Sequence, residues 1–288
     1  MTSAPTWPAA NLTLLLRDIS LEMTGKDVEE LVAARDAIPA GTRINVTFLG
    51  NEDLPMRLAA ARAVKNSGYV PVPHVSVRRL VSRHMLEEFL AALETDGTGE
   101  NVFAVGGDPS EPHGPYVDAL SVIESGLLET YGIRRVSIAG YPEGHPEIPD
   151  GVLWSALRSK HAALRARGLS SEIITQFGFD PDPVLDWIQT VRAHGIGAPV
   201  RVGVPGPAGV RRLLRYAARF GVGTSASIAK KYGLSITNLL GTAGPERFLR
   251  ALASDYHPDR HGEVKLHFYT FGGLRATSVW INDFRKDA

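Results

Sequence analysis

Short apolar runs alternate along this chain with longer stretches whose apolar residues recur every three to four positions. The short runs are Leu12–Leu21, Arg43–Phe48, Val70–Val77, Asn101–Val105, Arg135–Ala139, Glu172–Phe177, Val200–Val204 and Val264–Tyr269, and each predicts a strand. The first seven are each followed by a segment that predicts an amphipathic helix, as in Leu31, Val32 and Ala34, or in Leu213, Leu214, Ala217 and Ala218. Leu274–Phe284 predicts another helix after the last strand. Strand–helix pairs in that number predict an α/β chain folded as a (β/α)8 TIM barrel. An open doubly wound sheet competes, because alternation alone does not show closure. Such a sheet more often carries a glycine-rich phosphate loop after an early strand, and neither G-x-G-x-x-G nor G-x-x-x-x-G-K-[ST] occurs here. The barrel is therefore favoured. Gly221–His261 is longer than a standard connection and predicts extra helices between strands seven and eight. Thr95–Glu100 reads as a helix-to-strand turn, so residues 1–288 are expected to form a single domain.

Composition changes this picture little. With 44% hydrophobic and 22% charged residues, the 288-residue chain is that of a globular protein with a sizeable core. Lys plus Arg equals Asp plus Glu, at 31 each, which gives no support to nucleic-acid or anionic-membrane binding. The absence of cysteine excludes a disulfide framework, a thiolate nucleophile and a thiolate-ligated metal. There is neither a basic segment ahead of a signal-peptide core nor an apolar run long enough to span a bilayer. A cytoplasmic location is expected, and the sequons at Asn11 and Asn45 then carry no meaning.

Candidate chemistry gathers where the predicted strands end, which in a barrel is the active face. Strand one delivers Glu22, strand two Thr47, strand three Pro73-His74 and strand four Gly106-Gly107-Asp108-Pro109. Strand five empties into Ala139-Gly140-Tyr141-Pro142-Glu143-Gly144-His145-Pro146-Glu147, a loop with more hydrogen-bonding groups than packing requires. Strand six runs into Thr175-Gln176-Phe177, strand seven into Gly203-Val204-Pro205-Gly206-Pro207 and strand eight into His267-Phe268-Tyr269-Thr270. Each has an ordinary alternative: His74 as a satisfied core histidine, Asp108 as an Asx turn, Gln176 bonded to backbone, or Tyr269 as core with its hydroxyl on a carbonyl. No paired spacing such as H-x-H or H-E-x-x-H marks a metal site, so none is expected. The cluster Asp255–His261 is expected to be a solvated loop. Neutral polar groups with one or two carboxylates suit a large organic cofactor and a proton-transfer partner.

At these residues the chain resembles the methylenetetrahydrofolate reductases, flavin-dependent (β/α)8-barrel enzymes. The matching segments are Ser20-Leu21-Glu22, Val46-Thr47, Pro73-His74-Val75, Gly107-Asp108-Pro109, Ala139–Glu147, Ile174–Asp180 and His267–Thr270, in the family's order. The resemblance implies hydride transfer through FAD between methylenetetrahydrofolate and methyltetrahydrofolate, with NADH or NADPH as a possible electron donor. It makes Glu22 the acid that opens the imidazolidine ring and Asp108 the carboxylate between flavin and pterin. Thr47, His74, Gly107, Ala139, Tyr141 and His145 become flavin contacts, and Gln176 a pterin contact. Tyr269 joins Glu22 and Gln176 in contacting substrate.

The departures are specific. Gly106 stands where the family often has arginine, which removes a cationic contact to the cofactor. The helix after His145 lacks the family's acidic and amide groups and keeps Arg158 and Lys160 as phosphate partners, with Lys160 the choice. Phe271-Gly272-Gly273-Leu274-Arg275 replaces the family's Leu-Asn-Arg continuation. The chain ends soon after the barrel, so control by S-adenosylmethionine is not expected. Family members often form homo-oligomers, although no patch in the sequence marks an interface. Two other readings stay open: a proline-dehydrogenase-like flavin barrel, and a non-catalytic folate-binding protein.

Overall fold

The computed structural model describes residues 7–223 and 241–286. Eight parallel strands close on one another in the order β1-β8-β7-β6-β5-β4-β3-β2. They are β1 (Ile19–Met23), β2 (Arg43–Val46), β3 (Val70–Ser76), β4 (Asn101–Val105), β5 (Arg135–Gly140), β6 (Ser170–Phe177), β7 (Val200–Pro205) and β8 (Val264–Tyr269). Most of their residues are buried, as expected of parallel strands covered by helices. The fold is therefore the (β/α)8 barrel that the alternating pattern predicts.

Its first element differs from expectation. Leu12–Leu21 does not form one strand: helix α1 (Trp7–Arg17) comes first, and β1 follows after Asp18. An unbroken apolar run fits either element. What decides is a one-sided pattern, with Leu12, Leu15 and Leu16 buried while Leu14 is 41% exposed. Asn11 anchors the helix, its side-chain amide donating to the carbonyls of Ala253 (2.9 Å) and Tyr256 (2.8 Å).

Two compact units make up the chain. One comprises Leu21–Gly140 and Gly151–Ile174. It holds α2 (Val28–Ala33), α3 (Leu54–Asn66), α4 (Arg83–Asp96), α5 (Ala119–Glu124), α6 (Leu127–Thr130) and most of α7 (Asp150–Ala166). In register, β2 pairs Val46 with Pro73 of β3, and β3 pairs His74 with Phe103 of β4. Val72, Phe103 and Ile174 pack together with Val105 and Ala139 against them. Asp53, Ser82 and Asp118 cap α3, α4 and α5 through their side-chain oxygens. Gly97, at φ +60°, ends α4 where the sequence predicts a turn.

The other unit comprises Met1–Ser20, Tyr141–Asp150 and Thr175–Ala288. It holds α8 (Pro181–Ala193), α9 (Val210–Phe220), α10 (Glu246–Asp255), α11 (Pro258–His261) and α12 (Leu274–Lys286). Part of the predicted insertion, residues 224–240, lies outside the described residues. At the start of its strands Asp18 pairs with Arg201 (3.0 Å) and Lys265 (2.7 Å). Burial alone would raise the Asp18 carboxyl, but these two cations hold it at about 2.

Asp255–His261 is solvated only in part: Asp255, Pro258, Asp259 and Arg260 are exposed, but Pro258–His261 is helical and two residues turn inward. Tyr256 and His261 are buried, and the Tyr256 hydroxyl donates to the Gly262 carbonyl. His261 faces Gln189 (3.1 Å), and its carbonyl accepts from Arg192 (2.7 Å). Tyr256 and His261 are polar, yet each finds a partner on α8 or within the turn, and that satisfaction permits their burial.

Candidate functional site

In the first unit β1 brings Glu22 to one residue before its end, with the side chain 20% exposed. Its Oε2 lies 3.9 Å from Nε2 of His74, which is buried. The imidazole also faces the Asn45 amide (3.4 Å) and meets Phe103 edge-on at 4.8 Å. A carboxyl beside an imidazole, partly open to solvent, can exchange a proton with a ligand.

Thr47 follows β2, its amide donating to the Met23 carbonyl (2.9 Å). Its hydroxyl oxygen is buried and has no hydrogen-bond partner among the described residues. An unmet buried hydroxyl needs explaining, and a bound ligand would explain it. The neighbouring loops are braced by buried Glu52, which accepts from the amides of Gly25 (2.7 Å) and Leu49 (3.1 Å). Arg57, buried over the Phe48 ring at 3.4 Å, is pushed down by burial to about 10, against the pull of Glu52 and Asp53.

The β4 end is shaped by glycine and arginine. Gly107 sits at φ +94°, and a Cβ there would come within 2.1 Å of the Ser76 hydroxyl oxygen. Only glycine serves at such a position. Asp108 does not form the Asx turn that its proline neighbour allowed as the plain reading. Its carboxylate instead receives a guanidinium fork from Arg79, at 2.9 Å from Nε and at 2.5 and 2.6 Å from Nη2. Arg78 donates to the carbonyls of Pro109, Ser110 and Val117, fastening the rest of the loop. Neither arginine was singled out in the sequence. The Arg78-Arg79 pair just past the His74 strand was the available signal, but nothing local tied it to a residue 29 positions on.

Ala139, near the end of β5, packs on the Val72–Phe103–Ile174 cluster. Lys160 lies partly buried on α7, where burial lowers its ammonium to about 8 against the opposing pull of Asp118. Arg158, its neighbour by sequence, is exposed.

In the second unit Tyr141 and His145 meet edge-on at 5.5 Å, and the His145 ring accepts from the Glu147 amide (3.2 Å). Glu143 turns inward, where its carboxylate accepts from the Gly223 amide (3.1 Å). Burial pushes that carboxyl above its ordinary value, with Asp180 adding to the push and Gly223 opposing it. Gln176 donates to the Phe220 carbonyl (2.8 Å), and the Tyr269 hydroxyl to that of Thr175 (3.1 Å). Both thus have the backbone partner that ordinary packing supplies, and Gln176 keeps its carbonyl oxygen as an acceptor. Around them stands an aromatic group: Phe271 stacks on Tyr216 at 4.2 Å and on Tyr269 at 5.8 Å, and Phe177 meets Phe271 edge-on at 5.0 Å. These rings pack on one another as an aromatic cluster.

Comparison with known proteins gives a consistent answer. The family model described as methylenetetrahydrofolate reductase matches residues 24–236. Glu22 and Tyr269 fall outside that range, while the other proposed site residues fall within it. Methylenetetrahydrofolate reductase 2 of Saccharomyces cerevisiae is 31% identical over 113 residues, which cover 36% of this chain and 18% of that protein. Methylenetetrahydrofolate reductase (NADH) 1 of Arabidopsis thaliana is 30% identical over 151 residues, covering 46% of this chain and 25% of that protein. The matched stretches thus span a quarter or less of these relatives. Among solved structures, that of a phosphonomutase-like protein from Burkholderia cenocepacia superimposes with a TM-score of 0.52. It shares 12% identity and covers 98% of both chains, a likeness of fold alone.

Proposed function

The chain belongs to the methylenetetrahydrofolate reductase family, and from that premise we propose that it interconverts 5,10-methylenetetrahydrofolate and 5-methyltetrahydrofolate, with FAD as hydride carrier and NADH or NADPH as electron donor. Residues 1–288 are proposed to act as one catalytic domain. The observation that supports the proposal is the Glu22–His74 pair near the ends of β1 and β3, a carboxyl and an imidazole able to exchange a proton with a ligand.

The balance of the reaction defines what the residues must do. Reduction adds one hydride to the methylene carbon and one proton to N10 as the C–N10 bond breaks. Glu22 supplies that proton as general acid. His74 faces the Glu22 carboxyl and steadies it. Asp108, oriented by Arg79, stabilises the positive charge that develops on the one-carbon unit as the ring opens. Gln176, whose carbonyl oxygen has no partner among the described residues, can offer it to a pterin N–H, and Tyr269 is proposed to contact the same ligand.

The residues present fit a flavin. The Thr47 hydroxyl, without a partner among the described residues, and the Cβ-free approach at Gly107 support contact with its ring. His74, Ala139, Tyr141 and His145 are proposed as further contacts by the family resemblance. Lys160, partly buried on α7, is proposed for the phosphate end. FAD, when bound, supplies a ring that accepts and donates hydride.

Anaerobic titration tests this reading. Purified protein should be yellow or take up FAD, bleach with NADH or NADPH and recolour with methylenetetrahydrofolate. A protein that binds no flavin and turns over no folate contradicts it.

A further inference from the structure

Arg79 has no part in the family resemblance, yet its guanidinium is held from two sides. The fork grips Asp108, and the plane lies so close to Gly50 that a Cβ there would come within 2.5 Å of Nη1. Gly50 follows β2, Arg79 follows β3 and Asp108 follows β4, so one side chain spans three consecutive strand ends of the unit. The Arg79 side chain is 17% exposed while that of Asp108 is 60% exposed. A largely buried guanidinium therefore holds an open carboxylate, the reverse of two long side chains meeting in solvent. The planar fork fixes direction as well as charge, which a lysine could not do.

We infer that Arg79 is a positioning residue of the reductase site: it orients Asp108 and offsets its negative charge, so that Asp108 acts as a fixed, part-compensated carboxylate and not as a proton donor. The inference rests on the flavin-and-folate reading above. An uncompensated carboxylate near an electron-accepting ring makes each added electron costlier. Removing Arg79 should therefore make the bound flavin harder to reduce.

A double-mutant cycle of Arg79→Gln with Asp108→Asn tests it, read on the midpoint potential of bound FAD and on kcat/KM for methylenetetrahydrofolate. Arg79→Gln is expected to lower kcat/KM about tenfold and move the potential to a more negative value; in the Asp108→Asn background the same change should alter kcat/KM less than about twofold. Arg79→Lys should recover the potential but not kcat, since it restores charge without the fork. Arg62→Gln, which breaks an exposed pair with Asp96, should leave both readouts unchanged. An Arg79→Gln enzyme equal to wild type, or one equally impaired without the Asp108 carboxylate, overturns the inference. If wild type takes up no flavin but turns over folate, the flavin reading falls, and the cycle on kcat/KM still decides Arg79. If it does neither, the whole functional reading falls and the reductase role of Arg79 with it. Amide exchange across Gly107–Val117 then decides whether Arg79 positions Asp108 and its loop, about tenfold faster exchange in Arg79→Gln supporting that and unchanged exchange overturning it.

Discussion

Glu22→Gln keeps the size and hydrogen-bonding capacity of the side chain and removes its proton. Folate binding is therefore expected to stay within about threefold of wild type while turnover falls about a hundredfold or more, the usual loss for a general acid. Stopped-flow reoxidation of reduced protein checks this, and unchanged turnover would remove Glu22 from the chemistry. Lys160 gives a second expectation at this scale. Its ammonium is charged below its value of about 8, so FAD affinity should weaken as pH rises through 8, and Lys160→Met should abolish that dependence. Fluorescence titration across pH 6.5–9.5 reads both. How much of the site was legible in the sequence depended on distance along the chain. Glu22, His74 and Asp108 were visible because each sits at the end of its own predicted strand. The Arg79–Asp108 contact was not, because a pairing across loops is set by how β3 and β4 lie side by side.

Elements were predicted best where their period was clear. The strands from β2 to β8 alternate with helices at the expected spacing, and α12 begins at Leu274 as its pattern predicts. The first element failed because consecutive leucines erase the difference between periods of two and 3.6. Only the folded chain shows that Leu14 faces outward and that Asn11 docks on α10 and the turn after it. That anchor can be tested alone. Asn11→Leu removes both donated hydrogen bonds, leaves two carbonyls without that partner and should destabilise the fold by about 1–3 kcal/mol, measured as a lower urea midpoint at unchanged slope. A midpoint equal to wild type would show that α1 is held by its leucines alone.

Across the whole molecule, acid is expected to act through Asp18. Its folded value of about 2 lies below the ordinary 3.8, so the unfolded chain takes up the proton first. The stability it contributes is present above pH 4 and is lost as pH falls from there through 2. Because its side chain is 41% exposed, screening limits that contribution to roughly 1 kcal/mol. Asp18→Asn should accordingly lower the urea midpoint at pH 7 and leave it nearly unchanged at pH 2, whereas an equal loss at both would mean that packing and not charge holds this end of the strands. The central claim concerns chemistry, and one anaerobic experiment addresses it most directly. Protein reconstituted with FAD is reduced by NADH or NADPH and then mixed with methylenetetrahydrofolate while flavin absorbance is followed. The account predicts bleaching, then reoxidation with one methyltetrahydrofolate formed per flavin. A protein that stays colourless in excess FAD, or a reduced flavin that methylenetetrahydrofolate leaves untouched, would contradict it.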